Sequence, residues 1–440
     1  MTLPKIGLCF TNPNAKIMAL TICFYEDTHF NQFYPLTYLR PVYLLRPGIL
    51  PLFQHYEKHF KDASVCFASR GQISSLVSQQ GKDIPVNIVK KGTGDVLFLN
   101  GRIREYGDLP KSVDGCRLNT VFKNSGKTIG VLFKSDTLQG VSELTTPEIY
   151  KETLPKFKSD TAEYDTSATL YDYLWQMVDG IENAITSDYK QIESALEPPH
   201  DPKVHEGCHF INENDVYLGN DIEIFPTAVI DASQGPVFIS ANTKVMPQSI
   251  INGPCFIGAN SIVLQGKISS SSIGPTSRVG GEVEASIFQS YVNKYHAGFI
   301  GHSYVGSWVN FGALTTNSDL KNNYSNVRVN VNGKTMDSGM MKVGSFIGDH
   351  CKFGIGTLLN TGINIGVSCN VFGGGVTEDK EIPSFSWGNS DKFEKYDIEK
   401  AIETVQSVFL RRGAQLSSQE EGALRAIYKN EISSEGCLEF

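Results

Sequence analysis

The chain has 440 residues, more than one ordinary domain, which points to two or three. Hydrophobic residues make up 40 % and charged residues 20 %, the balance of a soluble globular chain, so wholesale disorder is excluded. Lys and Arg total 39 against 47 for Asp and Glu, a formal net charge of -8 with no Lys/Arg run, which argues against nucleic-acid or anionic-membrane binding.

No apolar stretch approaches the ~20 residues of a membrane helix. The run Met18-Ala-Leu-Thr-Ile-Cys-Phe-Tyr25 is short and ends in Glu26-Asp27 instead of a small-residue cleavage site. It therefore reads as a buried strand and not as a signal peptide. Nine cysteines are scattered without a C-x-x-C pair, as expected of reduced thiols in a cytoplasmic protein.

Further along, Val96-Leu-Phe-Leu99 reads as a second apolar strand. Leu170, Leu174, Met177, Ile181, Ile185, Tyr189 and Ile192 recur at helical spacing, predicting one long or two short helices. Pro198-Pro199-His200-Asp201-Pro202 then marks a linker. From about 215 to 377 the composition turns to Gly, Asn, Ser, Val and Ile.

In that stretch Ile239, Val245, Ile251, Ile257 and Val263 lie six residues apart, as do Ile347, Phe353, Leu359, Ile365 and Val371. A helix would need spacings of three and four, and a hairpin sheet would turn every 8–12 residues. A six-residue period fits short strands with one aliphatic residue each pointing into a narrow core, which is a parallel β-helix. The repeat is interrupted between Thr315 and Met341, where Val327-Arg-Val-Asn-Val-Asn-Gly-Lys alternates into an Asn-Gly turn and predicts a hairpin. In the tail, Ile398, Ala401, Ile402, Val405, Val408 and Phe409 share one helical face, and Ser417-x-x-Glu420 opens a second helix with a capping box. His205-Glu-Gly-Cys-His209 is a literal H-E-x-x-H, but it contains a glycine, follows a Pro-rich linker and runs into the β-helix, so no metal site is predicted there.

The segment His296-Ala-Gly-Phe299-Ile-Gly301-His302, followed by Val309-Asn310-Phe-Gly312-Ala313, resembles the acetyltransferase half of bifunctional UDP-N-acetylglucosamine pyrophosphorylase/glucosamine-1-phosphate N-acetyltransferase. That family carries N-H-x-x-Y-x-G-D and V-N-x-G-A-G-T on a left-handed β-helix. The match implies His296 as general base and Asn310 and Ala313 at the acyl-donor site. Phe299 stands where the family has tyrosine and His302 where it has aspartate. Glu284 falls near the place of the family's phosphate-binding lysine, leaving Lys294 and Arg278 as the nearby partners for sugar phosphate. An imidazole, with a typical pKa near ~6.5, suits removal of the proton from an attacking amine.

The N-terminal region resembles a bacterial subfamily of sugar nucleotidyltransferases related to that enzyme. Its pattern P-L-T-x-x-R-P-V-x-x-L-R-x-G-I is matched almost throughout from Pro35, with Arg40 and Arg46 as candidate phosphate ligands or an ordinary solvated pair. The resemblance extends to Leu99-Asn-Gly-Arg102, Asn317-Ser-Asp-Leu, Ile382-Pro-Ser-Phe-Ser-Trp-Gly388 and Arg411-Arg412-Gly. The Gly-rich phosphate loop is missing, with Glu26-Asp27-Thr-His-Phe-Asn31 in its region, and Asn100 replaces the metal-binding aspartate.

The expected architecture is thus an α/β nucleotidyltransferase-like domain over 16–198, a left-handed parallel β-helix over 203–387, and a helical tail over 388–440. The resemblance implies an acetyl-CoA-dependent N-acetyltransferase on an amino-sugar 1-phosphate, coupled to UDP-sugar formation if the first domain is active with Mg²⁺. It also implies a homotrimer with sites between neighbouring β-helices, with Phe299 and Asn317 beside the sugar. Two other readings stay open: a non-catalytic sugar-nucleotide sensor or assembly subunit, and a sugar-1-phosphate nucleotidyltransferase alone.

Overall fold

The structure is a computed structural model that describes residues 20–81, 83–90, 94–138, 143–145, 161–432, 434 and 437–438. Residues 16–19, where the predicted first domain and first strand begin, lie outside the described residues.

The N-terminal domain is built on six strands in the order Ser64–Ala68, Thr21–Tyr25, Val96–Asn100, Lys127–Phe133, Thr120–Asn124 and Ala162–Asp165. The first three run parallel and the fourth is antiparallel to its neighbours. All five residues of Thr21–Tyr25 are buried, because both faces of the strand are covered. A central parallel strand therefore reads as a continuous apolar run instead of an alternation. Ile22 and Phe24 join one core and Cys23 and Tyr25 the other. The predicted helical stretch forms two helices, Leu174–Asp179 and Ile181–Ile192, meeting at Gly180.

Beyond the linker the chain winds into a parallel β-solenoid. On one face nine strands stack, and their inward residues pair in register as Leu218, Ile239, Ile257, Ile273, Phe288, Val305, Ile347, Ile365 and Ile382. The six-residue period has a direct meaning here. Ile239, Val245 and Ile251 are the inward residues of three successive faces, and Ile257 returns to lie on Ile239. His209–Ile211 is itself a strand pairing with Val229–Asp231, so the H-E-x-x-H residues have no helix to place them on one side. Among the described residues no group of His, Cys, Asp and Glu is placed to hold a metal ion.

The interruption carries the expected hairpin, Arg328–Val331 with Lys334–Asp337, turning at Asn332-Gly333. Strands Ser386–Asn389 and Lys392–Lys395 carry the solenoid's sheet a few residues past the predicted boundary at 387. Tail helices Ile398–Leu410 and Ser418–Lys429 follow. Ser417 Oγ accepts from the Glu420 N–H at 3.1 Å, as a helix N-cap should. The Glu420 carboxylate, however, meets His350 Nε2 at 3.1 Å on the solenoid.

The N-terminal domain lies against the nine-stranded face. The outward residues Phe238, Phe256, Ile287, Tyr304 and Phe346 share one core with Phe33, Leu45, Trp175 and Ile185. The tail bridges both parts, packing Ile402, Val405 and Phe409 with Leu39 and Leu76 of the first domain and Val367 and Phe385 of the solenoid.

Candidate active site

Ligands of open α/β sheets bind outside the carboxyl ends of the parallel strands. Here those ends carry Glu26, Asp27, Arg70, Asn100 and Arg102, and the charges are already paired. Arg70 Nη1 donates to Glu26 at 2.5 Å and Arg102 Nη2 donates to Asp27 at 2.6 Å. Burial raises the Glu26 pKa, with Arg70 opposing it. Burial also acts to raise that of Asp27, but Arg102 and Asn100 outweigh it and the net shift is downward. Asn100 Nδ2 donates to Asp27 at 2.9 Å, while its Oδ1 accepts from the Arg102 N–H at 3.0 Å. A Mg²⁺ site needs carboxylate oxygens open to the ion. Both carboxylates here face arginines and the third position is an amide, so the residues present do not fit the metal. The Leu438 N–H also donates to Glu26 O at 2.8 Å, which seats Leu438 on this edge.

The stretch from Pro35 to Ile49 is an interdomain joint, which corrects the expectation that Arg40 and Arg46 bind phosphate. Arg40 is 6 % exposed and donates to Asp349 of the solenoid through both Nη atoms, at 3.0 and 2.5 Å. Burial would lower its pKa, but Asp349 outweighs that and raises it. Arg46 donates to Ile49 O at 2.9 Å and lies over the Phe256 ring, while its N–H donates to Tyr304 Oη at 2.9 Å. Gly48 sits where a Cβ would come within 2.8 Å of the Ala184 backbone and 2.6 Å of Asp188 Oδ2. Asp188 in turn accepts from the Ile49 and Leu50 N–H groups.

On the solenoid, strand register brings several predicted residues together. Arg278, Asn293 and Asn310 form one outward column, with Asn293 Nδ2 donating to Asn310 Oδ1 at 2.8 Å. His296 and Ala313 follow Asn293 and Asn310 by three residues each, which puts them at matching places on the same corner of neighbouring coils. His296 is exposed, its ring 5.2 Å from that of Tyr295. Phe299 is half-buried at the start of the next face.

Lys294 and Asn317 are placed differently from the expectation that they contact substrate. Both occupy inward positions and are 1 % and 2 % exposed. They are turned away from the surface that a sugar phosphate could reach.

Two features escaped the reading of the sequence. His302 Nδ1 meets Asp319 Oδ2 at 2.7 Å, because the interruption leaves the coil at Ser318-Asp319 and folds back over the preceding turn. Arg412 comes within electrostatic reach of Arg278, since Phe409 stacks on Trp308 at 4.1 Å and Trp308 on Tyr291 at 3.9 Å. Burial, then Arg278 and Arg411, lower the Arg412 pKa. Among the described residues none of these three arginines has an ion-pair partner. The Arg-Arg-Gly triplet was visible in the sequence, but nothing local tied it to Arg278.

A family of sugar nucleotidyl transferases matches residues 22–196 by its family model. The chain is 36 % identical over 95 residues to a bifunctional sugar-1-phosphate nucleotidylyltransferase/acetyltransferase of Sulfurisphaera tokodaii, covering 22 % of this chain and 24 % of that protein. It is 32 % identical over 103 residues to a bifunctional protein GlmU of Methanocaldococcus jannaschii, covering 23 % and 25 %. The matched stretch thus spans about a quarter of the length of either relative. A UDP-N-acetylglucosamine acyltransferase from Campylobacter jejuni superposes with TM-score 0.24 at 13 % identity, over 51 % of this chain and 95 % of that one. The first domain is thus nucleotidyltransferase-like over the residues that match, and it is joined to a parallel β-solenoid. None of the described cysteines is in a disulfide, and no helix among the described residues is long and apolar enough to cross a membrane.

Proposed function

We propose that the chain is an acyltransferase of sugar-nucleotide biosynthesis, moving an acetyl group from acetyl-CoA to the amine of an amino-sugar 1-phosphate on the solenoid. The observation that carries this is the gathering of exposed His296 with Ala313, Asn310 and Arg278 on one edge of adjacent coils. The bifunctional names of the relatives agree with it. The amine nitrogen attacks the thioester carbon, the C–S bond breaks, and CoA leaves as the thiol or thiolate. His296 takes the proton the amine loses, and Asn310 lies where an amide N–H can steady the oxyanion.

Arg278 holds the sugar phosphate in this reading, with Arg411 and Arg412 reinforcing the positive field. Arg278→Ala is then expected to raise the KM for the sugar phosphate about 10-fold or more with a smaller change in kcat, which is the pattern of lost ground-state binding. An unchanged KM would remove Arg278 from the site.

Assembly into a homotrimer is supported by apolar side chains beside His296. Leu314 and Ile355 on the corner and Leu358 and Val376 on the adjoining face are 58 %, 74 %, 39 % and 54 % exposed. Apolar residues gathered this way mark a contact surface. Ile355→Asp is expected to turn the trimer into monomers in light scattering and to abolish transfer with it. A trimer that survives the substitution places the interface elsewhere.

The paired charges at the end of the N-terminal sheet favour a second reading for that domain alone, as a platform that supports the solenoid without transferring nucleotide. CoA release from acetyl-CoA with glucosamine 1-phosphate tests the main proposal. If several amino-sugar phosphates give no turnover with folded protein, the solenoid is not an acyltransferase, and the sensor or nucleotidyltransferase-only reading takes its place.

A further inference from the structure

Lys294 and Asn317 are polar side chains that stand among the aliphatic residues lining the solenoid's core. Lys294 pairs in register with Val279 and has Phe311 at the matching place in the next coil. Asn317 continues the column of Ile268, Val283 and Ile300 and pairs with Leu359. Burying either group without partners is costly, so the partners each one finds indicate its role.

Lys294 Nζ donates to His296 O at 2.8 Å and to Gly280 O at 3.0 Å, with no carboxylate beside it among the described residues. Burial draws its pKa down to about 8. Asn317 Oδ1 accepts from the Gly301 N–H at 2.8 Å, and its Nδ2 donates to Gly301 O at 3.0 Å. The backbone around both is cut back to admit them. At Gly281, where φ is +69°, a Cβ would come within 2.9 Å of Lys294 Nζ and 3.0 Å of His296 O. At Gly344 a Cβ would come within 2.5 Å of Asn317 Nδ2.

We propose that Lys294 and Asn317 are positioning residues that brace the His296–Gly301 segment from inside, Lys294 at its first residue and Asn317 at its last. Neither touches substrate. An apolar core residue at either place would fill the same space but leave the segment's end carbonyls without those donors. The middle of the segment is held by neighbouring coils, the Leu314 and Glu282 N–H groups donating to Ala297 O and Gly298 O, so the two inward side chains add their hold at its ends. Lys294 thus fixes the backbone from which the imidazole projects, and Asn317 fixes the point where the chain leaves the coil for the interruption.

The test is Lys294→Met, which keeps the length and loses the donors, followed by amide hydrogen exchange and by CoA release. Exchange is expected to quicken about 10-fold or more in peptides covering 295–301 and to stay unchanged elsewhere in the solenoid. The kcat is expected to fall by a similar factor with KM nearly unchanged, because a misplaced base costs the reaction step and not binding. Unchanged exchange in folded protein, or equal quickening throughout the solenoid, overturns the brace. If Lys294→Met does not fold, Asn317→Ala is read the same way at the Gly301 end. Failure of both to fold also overturns it, since a local brace is dispensable to the solenoid. The kinetic arm rests on His296 being the base. Local quickening in a protein whose wild type releases no CoA would leave the brace standing and remove the acyltransferase reading.

Discussion

His296→Ala is expected to lower CoA release from acetyl-CoA by about two orders of magnitude or more, the usual size of a general-base contribution. His296 is exposed, and among the described residues its side chain makes only a ring contact with Tyr295, so its removal should leave the fold and the thermal midpoint almost unchanged. That separation matters for the interpretation. A fall in activity with an unmoved midpoint belongs to chemistry. The alternative base in the solenoid is His302, whose Nδ1 is oriented by Asp319 in the manner of a catalytic dyad. If His302→Ala removes activity and His296→Ala does not, the proton goes to His302 and the resemblance has been followed one step too far.

Asp349→Ala is expected to give the largest loss of stability, about 3–5 kcal/mol, because it leaves the Arg40 guanidinium buried without its counter-charge. Asp349 is 1 % exposed and holds more than Arg40, since its Oδ1 also accepts from the Ser307 N–H at 2.7 Å. The pair joins the first domain to the solenoid, so the change should also split thermal unfolding into two transitions, one for each part. Asp349→Asn keeps an acceptor for Ser307 and should fall between the two. A single unshifted transition in Asp349→Ala would show that the shared apolar core alone holds the domains together.

That joint explains a pattern that was conspicuous in the sequence and misleading in meaning. Arginines among prolines in a nucleotidyltransferase-like domain suggest phosphate, and nothing within Pro35–Ile49 argues otherwise. The partner that decides the matter, Asp349, lies 309 residues away. The same limit applied to Lys294. The resemblance offered it as a partner for sugar phosphate, and only strand pairing with Val279 shows that its side chain turns inward.

What the sequence determined by itself was whatever is written in short periods. The six-residue repeat defined the solenoid because each coil must bury one aliphatic residue per face, and this requirement recurs at every turn. Residues 22–25 and 96–99 declared themselves as parts of buried strands by being apolar throughout, and Asn332-Gly333 declared its hairpin by turn chemistry. Only the tertiary structure decided which charges are spent. Arg40, Arg70 and Arg102 each find an acid that lies 44 or more residues away in the chain, whereas Arg412 comes within electrostatic reach of Arg278 and Arg411 without an ion-paired acid among the described residues. The reason is physical: a side chain's electrostatic role depends on what lies within a few ångströms, and in a solenoid packed against a second domain those neighbours come from distant parts of the chain.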